Sequence, residues 1–152
     1  MTEAEIDKAL DSNDIDIKVE VLNNPNVTPA NINKALSDKS SYVRKTAIIH
    51  KNALGNNIDK ALSDPGFYIR KLAIMHPNAT PANIDKALND NYFEVRCIAA
   101  SHQNAIEDNI DKALNDTLVD VKMTAARHPS ATKANKEKAA NDAELISYLL
   151  KH

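Results

Sequence analysis

Apolar positions along this chain recur on two scales. On the short scale they fall at i, i+3 and i+4, as Ile84, Ala87 and Leu88 do, while Asp85, Lys86 and Asn89 are polar. That spacing puts one apolar stripe on an α-helix, and no strand pattern competes with it. On the long scale the pattern returns every 26 residues: Ile6, Ile32, Ile58, Ile84 and Ile110 stand at equivalent places, followed by Lys136. Residues 26–51, 52–77, 78–103 and 104–129 align without insertion. Residues 1–25 are a first copy lacking one residue, and 130–152 are a degraded last copy. A unit this short cannot bury its own core, so neighbouring copies must stack.

Each copy reads as two short helices. The first opens at Thr2, Thr28, Thr80 or Thr132, whose hydroxyl accepts a hydrogen bond from an orphan N–H at a helix start. Pro29 and Pro81 follow at the first helical position, where proline has no bond to lose. Thr2 with Glu5 spells a capping box, with Asn31 and Asn83 at the same place as weaker versions. Met1/Ile6 and Val27/Ile32 have the spacing of a hydrophobic staple. The second helix is predicted to open at Asp38, Asp64, Asp90, Asp116 or Asp142, with Asp64-Pro65 read as N-cap and first helical residue. It is predicted to run about twelve residues, to His50, His76, His102 or His128. Alanine columns (Ala35/61/87/113 and Ala47/73/99/125) permit close helix approach. The expected fold is all-α: a slightly curved α-solenoid of six two-helix repeats, forming one domain over 1–152. Its ends are polar caps, marked by Asp14, Asp16 and Glu20 in the first copy and by Lys136 and Ala140 in the last.

Composition narrows the function more than it names it. The chain has 152 residues, 43% hydrophobic and 26% charged, as an ordinary globular domain does rather than a disordered one. Its 19 basic and 21 acidic residues leave a net charge of −2, so no basic field draws nucleic acid. Cys97 is the only cysteine, which excludes an internal disulfide and a cysteine metal cage. Two glycines leave little room for phosphate-cradling loops. No apolar run could span a membrane, and MTEAEIDKAL reads as an acidic amphipathic start rather than a secretory signal. The expected location is cytoplasmic.

The segment HPNATPANIDKALNDNYFEVRCIAA, residues 76–100, resembles the leucine-rich repeat variant (LRV) family. It shares a His-Pro-Asn turn, a Thr-Pro helix start, an aliphatic pair, and Asp followed by Val-Arg. Asp90…Val95-Arg96 also resembles HEAT repeats. The resemblance covers nearly the whole chain and implies a right-handed superhelix of paired helices, the shorter often 3₁₀. It implies little about activity. The cysteine-ligated iron–sulfur cluster of some family members does not carry over, because Cys97 stands alone. The aromatic pocket of HEAT-like DNA glycosylases has no tryptophan here to build it. Helical-repeat proteins of this general look also occur in phages.

Four rows of residues look like chemistry and have plainer readings. His50, His76, His102 and His128 recur once per copy. Metal ligands must converge within about 3–4 Å, whereas stacked helices lie about 8–10 Å apart. The histidines are therefore expected to bond turn carbonyls. Asp38, Asp64, Asp90 and Asp116, spaced from Arg44, Arg70, Arg96 and Lys122, are expected to be N-caps and rungs of an inter-repeat ion-pair ladder. Lys8, Lys34, Lys60, Lys86, Lys112 and Lys138 form a further row, with Asp7, Asp59, Asp85, Asp111 and Glu137 beside all but Lys34, and read as a salt-bridged face. Asn26, Asn52, Asn78 and Asn104, then Asn57, Asn83, Asn109 and Asn135, are expected to satisfy backbone groups.

Function is sought where the copies differ outside the core. The leftover stripe of the second helix is i, i+3, i+7: Tyr42, Lys45, Ile49; Tyr68, Lys71, Met75; Glu94, Cys97, Ser101; Asp120, Met123, Arg127, with Tyr92 at its edge. Tyrosine and methionine suit a protein interface. Packing between second helices explains the same residues, and the sequence leaves both readings open. No nucleophile–base pair, metal cluster or glycine-rich loop supports catalysis. The expected function is a non-enzymatic scaffold without cofactor or metal. It would bind a protein or peptide at Tyr42, Lys45, Ile49, Tyr68, Lys71, Met75 and Tyr92. The alternatives are a nucleic-acid-binding repeat protein and an accessory subunit of an enzyme complex.

Overall fold

Twelve α-helices and no strands make up the structure, a computed structural model that describes residues 1–152. In chain order they are α1 (Glu3–Ala9), α2 (Ile15–Leu22), α3 (Pro29–Ala35), α4 (Ser41–Ile48), α5 (Gly55–Ala61) and α6 (Phe67–Met75). There follow α7 (Pro81–Ala87), α8 (Phe93–Ser101), α9 (Glu107–Leu114), α10 (Val119–Ala126), α11 (Lys133–Ala140) and α12 (Ala143–Lys151). They group into two compact units, Met1–Ala79 and Thr80–His152, with six helices each. In the first, α1, α3 and α5 form one layer and α2, α4 and α6 the other. In the second, α7, α9 and α11 lie against α8, α10 and α12. Each unit is thus a short helical-repeat stack. None of the helices exceeds nine residues, a length unstable alone in water, so packing between copies holds them helical.

The core follows the repeat register. Ile6, Ile32, Ile58, Ile84 and Ile110 are all fully buried, and both alanine columns are buried with them. Val43, Ile69, Val95 and Val121 bury the matching face of the second helices. In the last copy Leu145 takes that place, while Lys136 and Ala140 are exposed, as the outer face of an end repeat must be.

Within each unit, polar rungs of four kinds tie copies to the ones before them. The first is the asparagine at the third position of every first helix after α1, where Glu5 stands instead. Its Oδ1 accepts the N-cap N–H, as Asn31 does from Thr28 and Asn57 from Leu54, both at 3.0 Å. Its Nδ2 donates backwards to the first helical residue of the preceding copy: Asn57 to the Pro29 carbonyl at 2.9 Å, and Asn109 to that of Pro81 at 3.1 Å. A glutamate could make only the first of these bonds. In α5 and α9, Leu54 and Ile106 stand where threonine caps elsewhere, and the asparagine half of the box remains.

The histidines form the second rung. The Nδ1 of His50, His76, His102 and His128 accepts the N–H two residues on, at 3.0–3.1 Å. That bond leaves the proton on Nε2, which donates to a carbonyl 26 residues back: His50 to Asn24 at 3.1 Å, His76 to His50 at 3.0 Å, His128 to His102 at 2.8 Å. Asn52 and Asn78 add a third rung, each spanning two carbonyls of the previous turn.

The ion pairs are the fourth, and they correct the expected helix starts. In the middle copies the second helix begins three residues after its aspartate, at Ser41, Phe67, Phe93 and Val119. The carboxylate instead accepts the N–H two residues on, in a turn that precedes the N-cap: Ser40 and Gly66 at 2.8 Å, Tyr92 and Leu118 at 2.9 Å. These helices are therefore eight or nine residues long, and Pro65 lies in the turn. Only Asp142 caps as expected, accepting from Leu145 N–H at 2.9 Å. The aspartate's partner is the cation of the preceding copy: Lys18 to Asp38 at 2.6 Å, Arg44 to Asp64 at 2.6 Å, Arg96 to Asp116 at 2.8 Å, Lys122 to Asp142 at 3.0 Å. Arg44 also donates to the carbonyls of Asp38 and Lys39, so one guanidinium spans two copies.

These rungs set a pH dependence. Burial pushes the Asp38 carboxyl upward, but hydrogen bonds from Lys18 and the Ser40 N–H, with the charges of Lys18 and Arg44, outweigh it and hold the group below its ordinary value. Asp142 is likewise lowered, by the Leu145 N–H and by Lys122. A carboxyl lowered by folding contributes stability above its unfolded pKa, and that stability is lost as pH falls through the folded value. Urea midpoints should therefore hold from neutrality to about pH 5 and fall below about pH 4.

Candidate docking surface

The second helices α4 and α6 turn one face into the core and leave another in solvent. On α4 the inward set is Val43, Ala47 and Ile48, all fully buried; on α6 it is Ile69, Ala73 and Ile74. Helical geometry then sends i, i+3 and i+7 outward. Tyr42 and Ile49 are 58% and 54% exposed, and Tyr68 and Met75 are 49% and 56% exposed, which decides for an open strip over interhelical packing. Lys45 and Lys71 are half-buried between them.

A clamp sits at the centre of this strip. The Lys45 ammonium lies 5.9 Å from the Tyr42 ring centroid and 5.6 Å from that of Tyr68. One ring comes from its own helix and the other from the next copy, so the stacking of α4 on α6 builds the arrangement. Each such contact contributes about 0.5–1 kcal/mol at an exposed site. Lys45 makes no ion pair, whereas Lys18, Lys34, Arg44, Arg96, Lys112, Lys122 and Lys138 all reach carboxylates. The sequence hinted at half of this, through Tyr42 and Lys45 three apart on one helix. The contribution of Tyr68 needs the packing.

The remaining stripe residues are in the second unit. Tyr92, 45% exposed, is the N-cap residue of α8 and bonds its N–H to Asp90. Glu94, Ser101, Asp120 and Arg127 are exposed. Met123, expected on the open stripe, is buried instead. Its unbranched thioether lies down where a lysine would hold its amine in water. It floors a depression of about 290 Å³ lined also by Ser101, Thr124, Arg127, His128 and Pro129. Cys97 is half-buried; burial and the charge of Asp120 push its thiol above the ordinary value, the opposite of nucleophile activation.

The other rows are committed elsewhere. Asn57, Asn83, Asn109 and Asn135 are buried, and the imidazoles span backbone groups. Lys34, Lys112 and Lys138 pair with Asp7, Asp85 and Asp111 of the preceding copies. No group of three His, Cys, Asp or Glu side chains is placed to hold a metal ion. No helix is long and apolar enough to cross a membrane. No protein-family model matches the chain, and no curated protein matches it.

Proposed function

We propose that this chain is a non-enzymatic, LRV-like helical-repeat scaffold of the cytoplasm that docks a protein or peptide along α4 and α6. The observation that carries the reading is the open strip in which two tyrosines hold Lys45 between them, with Ile49 and Met75 two turns beyond the tyrosine of each helix. Exposed tyrosine and methionine provide contact area at modest entropic cost. A face set on stacked, mutually bonded helices needs little rearrangement to bind.

The test is a variant carrying Tyr42→Ala and Tyr68→Ala. Both rings are about half exposed, but the variant also loses the two contacts to Lys45, so its thermal midpoint should fall by about 5–10 °C while the melt stays cooperative, and capture is run well below it. Affinity capture should lose the protein retained by the parent, a loss of about tenfold or more in affinity for an aromatic pair at an interface centre. Equal retention by both proteins would remove the strip from the account.

A further inference from the structure

The chemistry of the strip also narrows what it recognises, on the reading that α4 and α6 form the docking face. Lys45 is a cation whose charge is met by two π faces and by no carboxylate. Neither α4 (SYVRKTAI) nor α6 (FYIRKLAIM) carries an acidic residue, and the Arg44 guanidinium is already committed to Asp64. The hydroxyls of Tyr42 and Tyr68 make no hydrogen bond within the chain, although both side chains are about half exposed. This face therefore holds a cation and two hydroxyl donors within a chain whose net charge is −2. Aromatic faces leave the ammonium free to donate outward, and a carboxylate beside it gains a charge-assisted hydrogen bond. Further along the two helices, Ile49 and Met75 present apolar surface that a carboxylate cannot cover. A complementary occupant puts an acidic side chain on Lys45 and an aliphatic side chain across Ile49 and Met75.

We infer that the partner segment is an acidic peptide in which Asp or Glu is followed by an aliphatic residue, its carboxylate seated on Lys45 between Tyr42 and Tyr68. A nucleic acid is disfavoured. It would need a track of lysines, and Lys34, Lys112 and Lys138 are spent on carboxylates. Ile49 and Met75 would give its phosphates nothing.

The experiment is selection of a random-peptide display library on the full chain, with parallel selections on Lys45→Glu, Lys45→Met and Tyr42→Ala/Tyr68→Ala. The expected result is enrichment of acidic–aliphatic sequences by the parent. A synthetic peptide of that pattern should bind at least about tenfold more weakly to Lys45→Met, and Lys45→Glu should enrich basic sequences instead. Lys45→Met keeps the length of the stem, so a helical spectrum equal to the parent's separates lost charge from lost fold. If peptides depend on the tyrosines but are not acidic, this inference fails and the docking strip stands. If no enriched peptide depends on the strip, both fail. Tighter binding of a single-stranded oligonucleotide than of any peptide, lost in Lys45→Glu, overturns both in favour of a nucleic-acid surface.

Discussion

Ile84→Asp should abolish the folded state of the unit Thr80–His152. Ile84 is fully buried on α7, at the register position that Ile6, Ile32, Ile58 and Ile110 fill in the other copies. Aspartate there loses about 2–3 kcal/mol of apolar burial and puts an unpaired carboxylate among aliphatic side chains, at a further cost of several kcal/mol. The sum matches or exceeds the whole stability of a small domain, about 5 kcal/mol or more. The helical signal should drop and its cooperative melt be lost for that unit. Ile84→Val, which removes one methyl, should cost only about 0.5–1.5 kcal/mol and keep the transition. An unchanged melt for Ile84→Asp would mean that the isoleucine column is not the core.

The second large effect is Asn57→Asp, a change of one atom type at a position fully shielded from solvent. Asn57 accepts the Leu54 N–H through Oδ1 and donates through Nδ2 to the Pro29 carbonyl. A carboxylate preserves the acceptor, but it sets a charged oxygen against the Pro29 carbonyl oxygen without water to screen it. We expect a loss of about 3–5 kcal/mol, more than the roughly 1–3 kcal/mol of Asn57→Ala, which only vacates the bonds. The sign of the pH dependence identifies the cause. Protonating the introduced carboxyl restores a donor toward Pro29, so its folded pKa lies above its unfolded one. The deficit should therefore shrink as pH falls from neutrality toward about 5, opposite to the trend set by Asp38 and Asp142. Urea denaturation of both variants at two pH values measures this. A deficit that does not change with pH would remove the Nδ2–Pro29 bond from the account.

Much of the fold could be read from the chain because identical residues recur in one register. The isoleucine and alanine columns needed only the period, and Thr2, Thr28, Thr80 and Thr132 cap where their sequence places them. The starts of the second helices could not be read the same way. Aspartate is favoured both at an N-cap and at the head of a side-chain turn: Asp38 takes the turn and Asp142 the cap, although each has its other oxygen on a cation of the preceding copy, so the ion pair does not choose between them. The backward amide bond of Asn57 was hidden for a related reason: its acceptor lies 28 residues away and exists only once copies stack. The strip was legible as the residue of the core assignment. That Tyr68 closes over Lys45, and that Met123 folds inward where Lys45 and Lys71 stay half-open, depends on neighbours that the local sequence does not specify.

The docking strip on α4 and α6 is tested most directly by where a partner touches the chain. A photo-crosslinking phenylalanine analogue is placed singly at Tyr42, Tyr68, Leu54 and Ile106. The last two are apolar residues about as exposed as the tyrosines, but they lie at the starts of first helices. One adduct species is expected from positions 42 and 68, suppressed by Lys45→Glu, and none from positions 54 and 106. The same adduct from position 54, or adducts from 54 and 106 alone, would contradict the strip by placing the partner on the first-helix face.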